Sequence, residues 1–93
     1  MTVTTPHKRK RQSAGWHIQH SYLDTYGMTP ADLATKLDVS PEVVEQLISG
    51  ELAITAKMAL KLGAALETSP ELWLNLQNAH ALDQVRQAEL MTA

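Results

Sequence analysis

From Trp16 onward, apolar residues recur at intervals of three and four positions, which is the period of one face of an α-helix. The first such segment runs from Trp16 to Tyr26 and ends at Gly27, a residue that readily takes the left-handed conformation found at helix ends. The only alternating stretch, Glu51 to Thr55, is too short to predict a strand. The pattern therefore predicts an all-α fold.

Three later helix starts share one pattern, a hydroxyl residue followed by proline, at Thr29-Pro30, Ser40-Pro41 and Ser69-Pro70. The hydroxyl can cap a free amide, and proline suits the first helical position. With 93 residues, the chain is expected to form one compact five-helix domain. The predicted helices are Trp16 to Tyr26, Pro30 to Leu37, Pro41 to Ser49 with Gly50 as its cap, one capped by Thr55 and running to about Leu66, and Pro70 toward Glu89.

The second and third predicted helices are separated only by Asp38-Val39 and the cap Ser40, so they must cross at a steep angle, as in a helix-turn-helix unit. Ala34 is small where the two helices approach most closely. Asp38 occupies the turn position that requires a left-handed backbone. The apolar positions available for internal contacts are Leu33, Leu37, Val39, Val44 and Leu47. The alternative interpretation is an ordinary helical hairpin in a small bundle.

In a DNA-binding helix-turn-helix, the second helix of the unit enters the major groove and its outward side chains meet base edges. Gln46 can pair with adenine, Val43 can contact a thymine methyl, and Glu42 can accept from cytosine. The predicted base-facing residues are Ser40, Pro41, Glu42, Val43, Glu45 and Gln46. Phosphate contacts are predicted from the helix starts at Thr29 and Thr55 and from the side chains of Lys36 and Lys57.

The net charge of −2 conceals an uneven distribution of 8 basic and 10 acidic residues. Four of the basic residues form the run Lys8, Arg9, Lys10 and Arg11, so residues 12–93 hold four basic and ten acidic residues, a net charge of −6. Residues 1–13 have too few apolar side chains to bury, and we expect a flexible basic arm there, followed by a domain over residues 14–93. Three interpretations of the arm are open: it is simply solvated, it tracks DNA phosphates or enters a minor groove beside the third helix, or it folds on a protein partner.

Several functional classes lack support in the sequence. There is no cysteine for a disulfide or a thiolate zinc site, and no apolar stretch approaches the ~20 residues of a membrane span. His17 and His20 are three residues apart but have no third ligand nearby, and no catalytic motif is present. We therefore expect a cytoplasmic protein that is not an enzyme, contacts no membrane and holds neither a metal nor a cofactor.

The segment GMTPADLATKLDVSPEVVEQLISGELAITAKMALKLGAALETSPELWLNLQNAHAL resembles the HigA antitoxin family, a branch of the Cro/repressor-type, XRE-like helix-turn-helix proteins. The resemblance covers about Gly15 to Leu82. Its most diagnostic parts are TSPELWLNLQNAHAL at residues 68–82, which is similar to the family signature S-P-E-x-W-L-N-L-Q, and the dipeptide Ile54-Thr55.

The resemblance implies a lambda-repressor-like domain in an antitoxin that binds and neutralises a HigB toxin, a RelE-like ribonuclease that cuts messenger RNA on the ribosome. It also implies a dimer that represses its own operon at an inverted repeat. Because such a ribonuclease is expected to be basic on its RNA face, we predict that the toxin binds the acidic body of the chain. The other hypotheses are a stand-alone regulator without a toxin, and a protein-interaction module that has lost DNA binding.

The chain departs from the family pattern at several positions. Many relatives carry His-Pro-Gly-Glu before the first helix, whereas residues 13–16 read Ser-Ala-Gly-Trp, so only Gly15 matches. Glu67 stands where a glycine often closes the fourth helix. Relatives often have basic or neutral polar residues where this chain has Glu42, Glu45 and Glu51. These carboxylates oppose DNA phosphates and are expected to weaken operator binding.

The last helix carries an apolar stripe, in which Trp73 is predicted to be a packing anchor. Palindromic DNA calls for a protein with two-fold symmetry. We therefore predict a homodimer built by the fourth and fifth helices. The predicted dimer residues are Leu72, Leu76, Ala79, Leu82 and Val85.

Overall fold

The computed structural model describes residues 11–92, which form five helices and no strand. Helix α1 covers residues 14–26, and the others are α2 (Pro30–Leu37), α3 (Pro41–Ser49), α4 (Ala56–Leu66) and α5 (Pro70–Thr92). The all-α, five-helix prediction is confirmed. Lys8, Arg9 and Lys10 of the predicted arm lie outside the described residues, and what was predicted for them stays a prediction.

Helix α1 begins two residues earlier than predicted, because Ser13 caps it. The Ser13 hydroxyl oxygen accepts a hydrogen bond of 3.0 Å from the Trp16 amide, so Ala14 becomes the first helical residue. Ser13 is thus part of the helix start, while the predicted division into an arm over residues 1–13 and a domain over residues 14–93 stays a prediction.

The middle of α1 is a π-helix over Ile18–Leu23, which the sequence pattern does not predict. Ile18 and Leu23 are both fully buried, yet residues five apart in an α-helix point about 140° away from each other. The wider π turn, in which the Asp24 amide bonds to the Gln19 carbonyl, brings both side chains toward the core. A search for the 3.6-residue period alone therefore could not detect this turn.

The predicted capping hydroxyls behave alike at three helix starts and differently at one. Thr29, Thr55 and Ser69 each accept a hydrogen bond from the amide three residues onward, at 3.1, 3.1 and 3.2 Å. Ser40 lies at the N-cap of α3 but makes no side-chain cap bond. Its predicted capping role is wrong, and the start of α3 is closed instead by a backbone bond from Val43 to the Ser40 carbonyl.

Four helices end in a left-handed residue. Gly27 (φ +66°) and Gly50 (φ +90°) take this conformation at no steric cost, whereas Asp38 (φ +59°) and Glu67 (φ +57°) carry a Cβ atom that makes it unfavourable. Glu67 thus adopts the backbone conformation for which a glycine is suited.

One hydrophobic core receives side chains from every helix. Trp73 of α5 is fully buried, its indole N–H donates to the Thr68 hydroxyl at 2.7 Å, and its ring centroid lies 5.4 Å from that of Tyr22. This confirms its predicted role as a packing anchor. The core residues are Ala14, Ile18, Leu23, Leu33, Ala34, Leu37, Val44, Leu47, Ile54, Ala59, Leu62 and Trp73.

Helix α5 is the longest element, and its second half leaves the body of the domain. Its 23 residues span about 35 Å, and residues 84–91 are all exposed. Four large apolar side chains of this half are exposed, namely Leu82, Val85, Leu90 and Met91. Over residues 11–92, none of the helices combines the length and apolar composition that a membrane span requires.

Candidate nucleic-acid interface

The turn between α2 and α3 has the geometry of a helix-turn-helix unit. Asp38 is left-handed (φ +59°, ψ +47°), and the Val39 amide donates to the Ala34 carbonyl at 3.0 Å. Ala34 is 2% exposed and belongs to the core. The left-handed conformation predicted for Asp38 is confirmed, and Ala34 is buried as a small residue of the unit. The internal apolar positions Leu33, Leu37, Val44 and Leu47 are buried and Val39 is half-buried.

Helix α3 presents most of the predicted base-facing residues to solvent. Val43 is the exception, because it is half-buried and packs against the core. Glu42 and Gln46 are four residues apart and share one face. The exposed members of the set are Ser40, Pro41, Glu42, Glu45 and Gln46.

The charge on and around α3 is negative. Glu42 and Glu45 are exposed on the helix, which has no lysine or arginine. Just beyond its end, the Glu51 carboxylate accepts a hydrogen bond of 3.3 Å from the Ser49 hydroxyl, which in turn accepts from the Glu51 amide. Attraction for phosphates must therefore come from elements other than α3.

The starts of α2 and α4 differ as phosphate sites. At α2 the Thr29 amide donates to the Asp32 carboxylate at 3.0 Å, the Asp32 amide donates back to the Thr29 hydroxyl, and Pro30 has no N–H. The capping box leaves few donors there and adds a negative charge. At α4 the first turn holds no acidic residue, its first two amides lack intrahelical partners, and Lys57 is exposed. The start of α4 is the better site for a phosphate.

The structure does not bring the two predicted phosphate-binding lysines together. Lys36 lines a cleft with Tyr26 and Glu67, beside the C-terminal end of α4. Lys57 lies at the other end of that helix, whose 11 residues span roughly 16 Å. Lys57 is therefore better placed than Lys36 to act with the amides that begin α4.

Arg11 is the first residue that the structure describes, and it lies beside α5. Its backbone carbonyl accepts a hydrogen bond of 2.9 Å from His80 Nδ1 of α5, and its side chain is exposed. Of the four basic residues predicted to contact phosphates from the arm, Arg11 is the one that the structure describes.

Comparison with known proteins matches this geometry to one family. A helix-turn-helix family model matches residues 21–73. Antitoxin HigA-1 of Vibrio cholerae is 41% identical over 76 residues, which cover 82% of this chain and 70% of the relative. The chain belongs to the HigA family of helix-turn-helix proteins. The resemblance seen over residues 15–82 is thus confirmed.

Two solved structures extend the match to the whole fold. The structure described as Pseudomonas aeruginosa antitoxin HigA with the higBA promoter has a TM-score of 0.79 and 29% identity, covering 89% of this chain and 90% of its own. A second structure, of a Pseudomonas aeruginosa protein in complex with its operator DNA, has a TM-score of 0.78 and 31% identity, covering 86% of this chain and 85% of its own. The HigA-like architecture therefore includes α5 as well as the helix-turn-helix unit.

The predicted dimer residues of this HigA family member fall into two groups. Leu72 and Leu76 are half-buried and pack against the core of their own chain, and Ala79 is also half-buried. Leu82 and Val85 are 53% and 57% exposed. Only the last two are therefore largely free for a second copy.

Two residues have notable environments in the structure that the sequence pattern did not predict. Leu60 of α4 is 63% exposed, although it belongs to an apolar helix pattern. Gln77 is part of the family signature but has no role predicted from the sequence, and its side-chain amide bonds to the backbone of Ile54. The signal available in the sequence was that Gln77 is a polar residue within the apolar pattern of α5.

The histidines of α1 make local contacts. His17 Nδ1 lies 3.2 Å from the Ser21 hydroxyl, and partial burial lowers the pKa of the His17 imidazole below its usual value. His20 Nδ1 lies 3.1 Å from the Asp24 carboxylate. Among residues 11–92, no group of three or more histidine, aspartate or glutamate side chains could hold a metal ion.

Proposed function

We propose that the chain is an antitoxin that represses its own operon and neutralises a HigB/RelE-like toxin that cleaves messenger RNA. The observation that carries the proposal is the exposed face of α3 in a HigA-family helix-turn-helix, together with a start of α4 whose first turn holds no acidic residue. The Pseudomonas aeruginosa HigA structure with its promoter supports the DNA-binding part. The proposed activity is binding without catalysis, and both partners belong to the cytoplasm.

In this proposal, a homodimer binds an inverted repeat, and each α3 enters a major groove. Gln46 is the best candidate for direct base recognition, because its amide can pair with adenine in two hydrogen bonds. Ser40 retains a hydroxyl that no cap bond occupies. The proposed base-facing set remains Ser40, Pro41, Glu42, Val43, Glu45 and Gln46.

Because α3 is acidic, DNA backbone contacts must supply most of the affinity. The proposed sources are the amides at the start of α4, the Lys57 side chain, and the arm residues Lys8, Arg9, Lys10 and Arg11. Thr29 and Lys36 remain in the proposed set, with weaker support from their surroundings.

The test combines a mobility shift on the upstream region of the chain's own gene with co-purification of the neighbouring gene's product. Gln46→Ala is expected to lower affinity for the upstream duplex by about tenfold while leaving affinity for a scrambled duplex unchanged. Gln84→Ala, an exposed glutamine of α5, serves as the control. Equal losses on both duplexes would remove Gln46 from the base-reading set.

A second candidate function follows from the acidic surface of α3. A protein-interaction module with this fold would not need to approach phosphates, and Glu42 and Glu45 would cost it nothing. Absence of any shift at low salt, together with retained binding of the neighbouring product, would favour that module. Operator binding without a co-purifying product would favour a stand-alone regulator.

Deletion of the arm should distinguish DNA binding from toxin binding. Deleting residues 1–12 is expected to weaken binding to every duplex by about tenfold or more and to flatten its salt dependence, because four positive charges are lost. Toxin binding should persist, since we assign the toxin to the acidic body. Deleting only residues 1–6 removes no basic residue and is the matched control. Loss of toxin binding with intact operator binding would contradict the assignment.

A further inference from the structure

Gln77 is joined to the backbone of the loop that precedes α4. The Ile54 amide donates to Gln77 Oε1 at 2.6 Å, and Gln77 Nε2 donates to the Ile54 carbonyl at 3.0 Å. One side chain therefore satisfies both polar groups of a residue that is 5% exposed and belongs to no helix. Few side chains other than an amide could donate and accept in this way.

The other end of the same loop is attached to α3. The Gly50 and Leu52 amides both donate to the Gln46 carbonyl at 3.1 Å. Residues 50–52 therefore follow α3, while Ile54 is tied to α5 through Gln77. The loop is held at both ends, and Gln77 supplies the polar attachment at the α4 end.

The residue after Ile54 is Thr55, the N-cap of α4. The Thr55 hydroxyl is already used, because it accepts from the Met58 amide at 3.1 Å. The amides of Ala56 and Lys57 remain without intrahelical partners and point out of the helix start. Because Ile54 directly precedes Thr55, the hydrogen bonds that hold Ile54 also fix the position of the amides of Ala56 and Lys57 at the start of α4.

We propose that Gln77 is a positioning residue for operator binding, which holds the phosphate-binding start of α4 at a set distance from α3. This inference rests on the proposed operator function. Gln77 touches no DNA in this scheme and acts through Ile54. Since Leu82 and Val85 follow on α5, the same helix carries the proposed dimer contacts and the anchor of the phosphate site.

The test uses Gln77→Met, which keeps the length and helix preference of the side chain but removes both hydrogen bonds. Affinity for the duplex upstream of the chain's own gene should fall by about tenfold. The slope of log affinity against log salt concentration should become less steep by about one for each subunit, because one phosphate contact is lost. Gln77→Glu keeps the acceptor for the Ile54 amide but sets a carboxylate oxygen against the Ile54 carbonyl, so it should not restore the affinity. Gln84→Met, on an exposed position of the same helix, should bind as the unaltered chain does.

A double-mutant cycle distinguishes positioning from a general loss of stability. Lys57→Ala should weaken binding in the unaltered chain but have little further effect together with Gln77→Met, because both changes remove the same contact. Affinities are measured well below the melting temperature of each variant. Additive losses, or unchanged affinity of Gln77→Met, would overturn the positioning role alone. Failure of the unaltered chain to bind the upstream duplex would overturn the operator function, and the positioning role with it.

Discussion

Replacing Gly15 with alanine is expected to lower the free energy of unfolding by about 3 kcal/mol, measured by urea denaturation. A Cβ atom at Gly15 would lie 2.3 Å from the Ile48 carbonyl oxygen and 2.5 Å from that of Leu47. Both obstacles are backbone atoms at the end of α3, so no side-chain rotation relieves the overlap. Helices α1 and α3 would have to separate, and the helix-propensity gain of ~1 kcal/mol from alanine would not offset that loss of packing.

Gly27→Ala provides the matched control for this prediction. A Cβ atom at Gly27 would meet open space, but the backbone there is left-handed (φ +66°), so we expect a loss of about 1 kcal/mol. Equal losses for the two variants would mean that steric overlap at Gly15 is not the dominant cost. Gly15 is also the one residue of the family's His-Pro-Gly-Glu pattern present here, and its contact with α3 gives a packing reason for it.

Replacing Leu82 and Val85 together with glutamate is expected to convert the proposed homodimer into a monomer and to reduce operator affinity by about a hundredfold or more. The two side chains are three residues apart on one face of α5 and are 53% and 57% exposed, so their replacement leaves the core of the chain intact. In a dimer, binding of one subunit to its half-site raises the effective concentration of the other subunit at the second half-site. A monomer lacks this gain and must bind each half-site separately. Light scattering at tens of micromolar and a mobility shift on the upstream duplex measure the two effects.

The control is Gln84→Glu with Gln87→Glu, which places two new carboxylates on a different face of the same helix. If both double variants dissociate equally, added charge rather than the Leu82 and Val85 face is responsible. A monomeric unaltered chain at the same concentration would contradict the dimer prediction directly.

Local sequence rules predicted the features that depend on neighbouring residues. The hydroxyl-proline pairs gave the starts of α2, α3 and α5, and the left-handed conformation of Asp38 followed from the two-helix spacing. Each of these features depends on backbone donors and on steric limits within a few residues. They could therefore be predicted without knowledge of the tertiary fold.

The features that the sequence did not predict depend on tertiary contacts. The π turn of α1 arises because two core residues lie five apart, and only the packed core requires both to point inward. Leu72 and Leu76 share the apolar stripe with Leu82, but the stripe does not reveal where the body of the domain ends. Lys36 likewise carries the positive charge that a phosphate contact needs. Only the fold shows that it lies beside the C-terminal end of α4, away from the helix start.

The left-handed conformation of Glu67 has a consequence for how long a molecule of this protein remains intact in a cell. A residue with a Cβ atom in that conformation costs about 1 kcal/mol relative to glycine, which corresponds to a roughly fivefold larger unfolded fraction at equilibrium. Proteases degrade the unfolded fraction, so a surface residue remote from α3 contributes to the steady-state abundance of the protein. A glutamate that closes α4 is thus expected to shorten the lifetime of the chain relative to a glycine there.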